Sequence, residues 1–295
     1  MKKKRLSEKI FDVFNVTLLT LFMLACIYPF YYVLIYSLSD PKTVQKGVYL
    51  LPVDFTLFNF TRIFSINIIY TGMIISVLRT VIGAIITVFC CMYFAYLLMN
   101  DDMPLKKFFY RYTVITMYIS SGLIPYYLTI RAYGLRNTFL VYVIPTAVSA
   151  FNVILFKTFM EQIPPAMEES ARIDGAGIFK VFWKIIFPLS TPIVASVVVF
   201  ASVAQWNSWF DTYIFVTNKN LFTLQYILLN FLRESEALAQ AMRTSGSTAS
   251  APVQTLTSES VKMTITVVVL IPILLVYPFM QRYFIKGIML GAVKG

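Results

Sequence analysis

Apolar runs of twenty residues or more recur along this chain, and their length narrows the folds open to it more than any other feature. A helix rising about 1.5 Å per residue needs roughly 20 apolar residues to cross a hydrocarbon layer of about 30 Å. Six stretches have that length: Val13 to Leu38, Ile69 to Met99, Phe108 to Ile130, Phe139 to Met160, Ile185 to Val216 and Val261 to Phe284. They are continuously apolar rather than alternating, which excludes the strands of a transmembrane barrel. Composition agrees, with 58% hydrophobic and only 13% charged residues, far from a soluble domain. The expected fold is an all-α integral membrane protein of six transmembrane helices, one domain over residues 1–295.

The first run has to be told apart from a secretory signal, because Lys2-Lys3-Lys4-Arg5 precedes it and Met23-Leu24-Ala25-Cys26 loosely resembles a lipoprotein cleavage site. It continues well past Cys26 to Leu38, beyond the about 7 to 15 residues of a signal core, so a retained helix is expected. Orientation follows from the basic residues. One set of loops and termini holds 15 Lys and Arg and the other nine, with Arg79 inside the second run. The positive-inside rule then puts both termini and the loop at about 162–187 in the cytoplasm. The net charge of +11 reflects this topology and anionic headgroups, since no basic patch is interleaved with exposed aromatics.

Several chemistries are excluded. The chain has no histidine, which removes histidine triads and histidine zinc sites. Cys26, Cys90 and Cys91 lie in apolar runs, and residues 90 and 91 face different sides of a helix, so reduced packing residues are expected. No Gly-Lys-Ser or Gly-Lys-Thr forms a phosphate-cradling loop. No catalytic, cofactor or metal site is expected, and any energy must come from a partner or a gradient. A proton relay needs ionisable groups within the spans. Only Arg79 lies well inside one, where pairing or snorkelling and a pathway role both remain open.

The loop from Gln162 to Phe187 is the most informative polar segment. Pro164-Pro165 suits the first turn of a short helix, with Glu168 and Glu169 at its positive end. Met167 and Ala171 share one face and Ser170 and Asp174 another, so an apolar stripe is available to a partner's groove. Gly175 and Gly177 permit a bend. A second helix follows, with Phe179, Phe182 and Trp183 suited to the membrane interface, before Pro188 and Pro192 weaken or kink the start of helix five. The physics alone equally allows a helix-turn-helix lying on the inner leaflet.

Glu169-Ser170-Ala171, three residues, Gly175, nine residues, then Ile185 to Pro188 resembles the Glu-Ala-Ala loop of ABC importer permeases. Ser170 replaces the first alanine of the usual pattern and Phe187 its leucine. Gln205-Trp206-Asn207-Ser208-Trp209-Phe210 and the ending Tyr277-Pro278-Phe279 through Lys286-Gly287 to Gly295 look like the carbohydrate-uptake branch, with maltose-type permeases that handle oligosaccharides and polysaccharide fragments. The resemblance runs from about Asn15 to Gly295. It implies a type I importer permease, multi-pass in a bacterial plasma membrane. It also implies a second permease subunit, two cytoplasmic ATPase subunits that use the ATP, and an extracellular solute-binding lipoprotein. On it, Glu168, Glu169, Ser170, Ala171, Asp174 and Gly175 carry ATPase coupling.

The path for solute is less sharply marked. Gln205, Asn207, Ser208 and Asp211 form a polar series with Trp206 and Trp209, suited to sugar hydroxyls and ring faces or, equally, to an outer interfacial belt. Ser120-Ser121-Gly122, with Tyr126 and Tyr127, is a second candidate, unless small residues there only let helices approach. The candidate path is thus Gln205, Asn207, Trp209, Asp211, Ser120, Ser121 and Arg79. In the outer loop, about 217–260, Leu221, Leu224, Leu228 and Phe231 recur at helical spacing, and Ser245 to Ser260 reads as a flexible loop. By resemblance this outer segment touches the binding protein; an interfacial helix is the plainer reading. An ATP-independent carrier and a membrane scaffold are the readings from other classes.

Overall fold

The computed structural model describes residues 6–44, 47, 50–245 and 259–275. Among these the structure is helical, with no strand beyond an isolated Ser39–Phe55 bridge. Two helices are individually long and apolar enough to cross a bilayer, α1 (Leu6–Ser37) and α3 (Asn67–Met99). A third crossing exists if a bent pair of helices counts as one span.

The described parts fall into two compact units. One comprises Met1–Ile66 with Asn230–Leu270. Here α1 runs unbroken through Cys26 and Pro29, and its apolar side chains from Ile10 to Leu34 stay largely exposed within the chain, as suits a helix in contact with lipid or another subunit. Its C-terminal end packs Ile35 and Tyr36 with Val44, Val53 and Met263. The orphan carbonyls expected at a helix end are satisfied by buried Asn59 of α2 (Phe58–Phe64), whose Nδ2 donates to Ser37 O and Ser39 O at 2.9 Å.

The other unit comprises Asn67–Leu229 with Ile271–Gly295, and α3 is its axis. At 33 residues the helix is about 50 Å long, so it overreaches a hydrocarbon core of about 30 Å. Its C-terminal half (Val88, Cys91, Met92, Ala95, Tyr96 and Leu98) packs on Val153, Phe156 and Met160 of a helix at Ala150–Met160 and on Phe182. Cys91 is buried under the start of that helix, while Cys90 is half-buried on the neighbouring face and all three cysteines are free. At the other end Gly72 lets the chain at Phe222–Ile227 come close; a Cβ there would lie 2.4 Å from Ile227 Cδ1. Ser76 Oγ accepts the Leu224 amide at 2.8 Å, capping the helix that begins there.

The later apolar runs are interrupted where the sequence reading drew continuous helices. Phe108 to Ile130 is α4 (Lys106–Ile115) and α5 (Leu123–Ala132), parted at Ser120-Ser121-Gly122, where Gly122 adopts φ +78° open to residues without a Cβ. Phe139 to Met160 is a 3₁₀ turn at Phe139–Tyr142 and then α6 (Ala150–Met160), with Pro145 between them. The short helices α7 (Ala166–Ile173) and α8 (Ile178–Val181) precede a π turn at Phe182–Ile186, α9 (Phe187–Leu189) and α10 (Thr191–Asn207). Helix α11 (Phe210–Phe215) completes the fifth run. The amphipathic segment is longer than its spacing suggested, α12 (Leu224–Ser245), with Leu224 and Ile227 buried. A further helix, α13, is described over 259–275. The loop read at 245–260 falls mostly outside the described residues, as does the C-terminal ending.

Candidate functional site

The charged loop folds as its residue order dictates. Pro165 sits at the N-cap of α7 with φ −58°, and Glu168 and Glu169 follow in the first turn, each favoured by about 0.3–1 kcal/mol against the helix dipole. At the other end Ala176 N donates to Ala171 O at 2.9 Å and Gly175 N to Arg172 O at 3.0 Å. With Gly175 at φ +77°, this is the six-to-one and five-to-two bonding of a glycine-terminated helix. Nothing else lies where a Gly175 side chain would project, so the glycine answers to backbone conformation alone.

No residue of α7 is buried, and its two carboxylates behave differently. Glu168 turns inward: Oε1 accepts the Tyr96 hydroxyl at 2.9 Å and Arg172 Nη2 at 2.8 Å. Arg172 Nη1 reaches Asp102 Oδ2 at 3.3 Å, so the loop after α3 and α7 share one ionic cluster. Desolvation alone would lower the Arg172 pKa, but the hydrogen bond and charge of Glu168, then of Tyr96, outweigh it and raise it. Close by, the hydrogen bond from Lys106 holds Asp101 below the usual carboxylate range. Glu169, Ser170 and Asp174 are exposed. Ile173 is 86% exposed, whereas Ala171 packs against the core. The apolar stripe is thus only half committed to this chain, because Met167 also remains 46% exposed.

Beyond Gly177 the aromatic residues divide. Phe182 is fully buried, with ring centroids 5.1 Å from Tyr93 and 5.6 Å from Tyr96; it is a core residue and not the interfacial one its composition suggested. Phe179 and Trp183 stay exposed. The pair Ile178–Leu189 and Thr191–Asn207 meets at 84°, a turn placed at Ser190 between Pro188 and Pro192, as prolines without donors allow.

A second site lies along α3, α6 and α10. The Arg79 side chain is 1% exposed. Nε donates to Gln205 Oε1 at 2.8 Å, Nη1 to Ser208 O at 3.1 Å, and Nη2 pairs with Asp211 Oδ2. Its guanidinium carbon stands 4.6 Å from the Tyr142 ring centre, a cation–π contact. Gln205 Nε2 in turn donates to Thr146 Oγ1 at 2.7 Å and Tyr142 O at 3.2 Å. That side chain lies flat on Gly83, where a Cβ would fall 2.6 Å from Gln205 Nε2. Beside this network opens a cavity of about 530 Å³, lined among others by Thr87, Thr146, Ser149, Asn152, Gln205 and Asp211.

Of the residues the sequence singled out for the path, the fold brings Arg79, Gln205 and Asp211 together. Pairing is the structural answer for Arg79, in place of snorkelling. Asn207 and Trp209 do not line the cavity: Asn207 is exposed and accepts from Gln225 Nε2 at 3.2 Å, and Trp209 packs with Phe210 and Tyr213. Ser120 and Ser121 sit exposed at the break before α5. Tyr142, Thr146, Ser149 and Asn152 were missed, although Ser149 and Asn152 at a three-residue spacing opening an apolar helix are a readable polar stripe.

No family model matches the chain. It is 35% identical over 291 residues, 98% of its own length and 100% of the other, to the polygalacturonan/rhamnogalacturonan transport system permease protein YtcP of Bacillus subtilis strain 168. The melibiose/raffinose/stachyose import permease protein MelC of the same organism is 26% identical over 272 residues, 90% of this chain and 91% of that protein. Among solved structures, a chain of a bacterial ABC transporter involved in the import of the acidic polysaccharide alginate superposes with a TM-score of 0.85 and 29% identity, covering 96% of this chain and 100% of that one. An exposed charged helix ended by Gly175, a proline-flanked 84° turn and relatives matching from end to end lead to one assignment: the chain belongs to the sugar permease family of ABC transporters.

Proposed function

We propose that this protein is one of two permease subunits of a type I importer for oligosaccharides or polysaccharide fragments in a bacterial plasma membrane. It crosses the bilayer six times with both termini in the cytoplasm. ATP is hydrolysed by two separate cytoplasmic ATPase subunits, and solute arrives on an extracellular binding lipoprotein. The carrying observation is α7, which has no buried residue, presents Glu169, Ile173 and Asp174 to solvent, and is anchored from behind by Glu168 and Ala171. A helix fixed on one side and bare on the other suits a groove in a partner. Closure of the ATPase pair then moves α7, and the bent α8–α10 segment carries that motion into the membrane, giving alternating access. The substrate class rests on the relatives, whose names include pectic and raffinose-type sugars.

The test is reconstitution with the sister permease, ATPase and binding protein in proteoliposomes. Binding-protein-stimulated ATP hydrolysis coupled to uptake of labelled oligogalacturonides, rhamnogalacturonan fragments or neutral oligosaccharides is the expected result. Flux through the purified subunit with no ATPase present would refute it.

A further inference from the structure

The cavity beside Arg79 has two unlike walls. On the α3 and α10–α11 side, every polar group already has a protein partner. Arg79 is engaged by Gln205, Ser208 and Asp211; Gln205 bonds Thr146 and Tyr142 as well; Ser208 Oγ donates to Asp211 at 3.0 Å; and Thr87 Oγ1 donates to Thr146 O at 3.0 Å. The charge of Arg79 is balanced by Asp211, so this wall has no net charge to offer a ligand. On the α6 side, the first turn of the helix brings Ser149 and Asn152 to the cavity, three residues apart and therefore on one face. Ser149 is the N-cap residue, yet its side chain makes no capping bond. Asn152 is only 7% exposed and lines the cavity, with no hydrogen-bond partner among the described residues. Its amide opens onto the cavity, so a ligand entering there meets a donor and an acceptor with no protein bond to give up.

We infer that Asn152, with Ser149, is a hydroxyl-binding subsite for the transported sugar, recognising a vicinal diol on the ring and not its carboxylate. This rests on the sugar-importer reading and adds to it which wall holds the solute and by which chemistry. A primary amide donates through Nδ2 and accepts through Oδ1, which matches two adjacent hydroxyls, each both donor and acceptor. Phe151 and Phe200 also line the cavity, and aromatic faces cover the apolar face of a pyranose. A volume of about 530 Å³ falls in the range of small-ligand sites. A uronate carboxylate gains little here, because the guanidinium it would seek is already paired. Recognition by hydroxyls alone lets one path pass acidic and neutral rings, with selection between them left to other parts of the importer.

The assay is uptake kinetics of the reconstituted four-component importer in proteoliposomes, with trigalacturonate and its fully methyl-esterified form. The two carry the same hydroxyls, and the ester caps each carboxylate with a methyl group and removes its charge. Asn152→Ala, compared at equal amounts of assembled complex, is expected to raise KM about tenfold for both sugars and by the same factor. Ser149→Ala, which removes only a hydroxyl, is expected to raise it about threefold, and serves if Asn152→Ala fails to assemble. An unchanged KM in the assembled variants removes the subsite, and a rise confined to the acid overturns the charge-blind diol assignment. If the wild-type complex imports neither these nor any other galacturonate, rhamnogalacturonate or neutral hexose oligosaccharide, the sugar reading itself falls and this site with it.

Discussion

Asp211→Ala tests the buried network most directly, because it removes the one charge that balances Arg79. In the native fold the Arg79 side chain is 1% exposed and Asp211 18%. After the substitution Gln205 and Ser208 still accept two of the guanidinium's bonds and the Tyr142 ring remains beneath it, but no carboxylate faces the cation. Breaking a buried pair by removing one partner costs about 3–5 kcal/mol. The partial exposure of Asp211 and the surviving bonds place this case at the lower end, about 3 kcal/mol. Asp211→Asn keeps the shape and the Ser208 bond and should lose about half as much, since bonds to charged groups exceed neutral ones by roughly that factor. The measurement is reversible unfolding of the purified subunit in mixed micelles titrated with SDS. The pair Arg79→Met with Asp211→Leu provides the control, because replacing both members of a buried pair with apolar residues is frequently neutral. Asp211→Ala unfolding together with the wild type would refute the reasoning. So would a double variant as unstable as the two single losses added together, since that would mean the groups do not act as a pair.

Three further outcomes are expected. Gly83→Ala drives Gln205 off α3, because its Cβ would stand 2.6 Å from Gln205 Nε2; loss of the Gln205 bonds should cost about 1–3 kcal/mol in the same SDS titration, and the double variant with Gln205→Ala should be no less stable than Gln205→Ala alone, since the same bonds are lost only once. Gly175→Ala meets no neighbouring atom but must hold φ +77°, a strain of about 1–2 kcal/mol; uptake per ATP hydrolysed should fall while expression stays normal, and unchanged coupling would show that the bend is dispensable. Glu168→Ala and Glu169→Ala should separate: the first removes the carboxylate that Tyr96 of α3 and Arg172 share and so loosens α7 from α3, read as faster amide exchange across 166–175. The second leaves exchange unchanged and reduces the ATPase retained on affinity purification. Identical phenotypes would remove the distinction between the inward and outward carboxylates.

Local features of the charged loop were legible because they are enforced within a few residues. Pro165 opens α7, Gly175 closes it and Pro188 and Pro192 bracket the turn at Ser190, each through its own backbone restriction. Which carboxylate faces solvent was not legible. Glu168 and Glu169 share residue type and helix turn, and it is Tyr96, 72 residues earlier, that draws the first inward beside Arg172. Phe182 likewise reads as an interfacial aromatic until Tyr93 and Tyr96 close over it. The apolar runs gave membrane character and approximate extent but hid the interruptions at Gly122 and Pro145, since hydropathy averages over the residues that break a helix.

The sequence by itself determined that this chain is a helical membrane protein with a short charged helix bounded by proline and glycine, because length, hydropathy and proline or glycine placement act locally along the backbone. Only the tertiary structure decided how its polar groups are used. Arg79 meets Asp211 across 132 residues, Gln205 finds room over Gly83, and Asn152 is left facing a cavity with its amide unspent. Pairings between distant helices depend on which faces pack together, and in nearly uniform apolar helices the one-dimensional pattern carries almost no record of that choice.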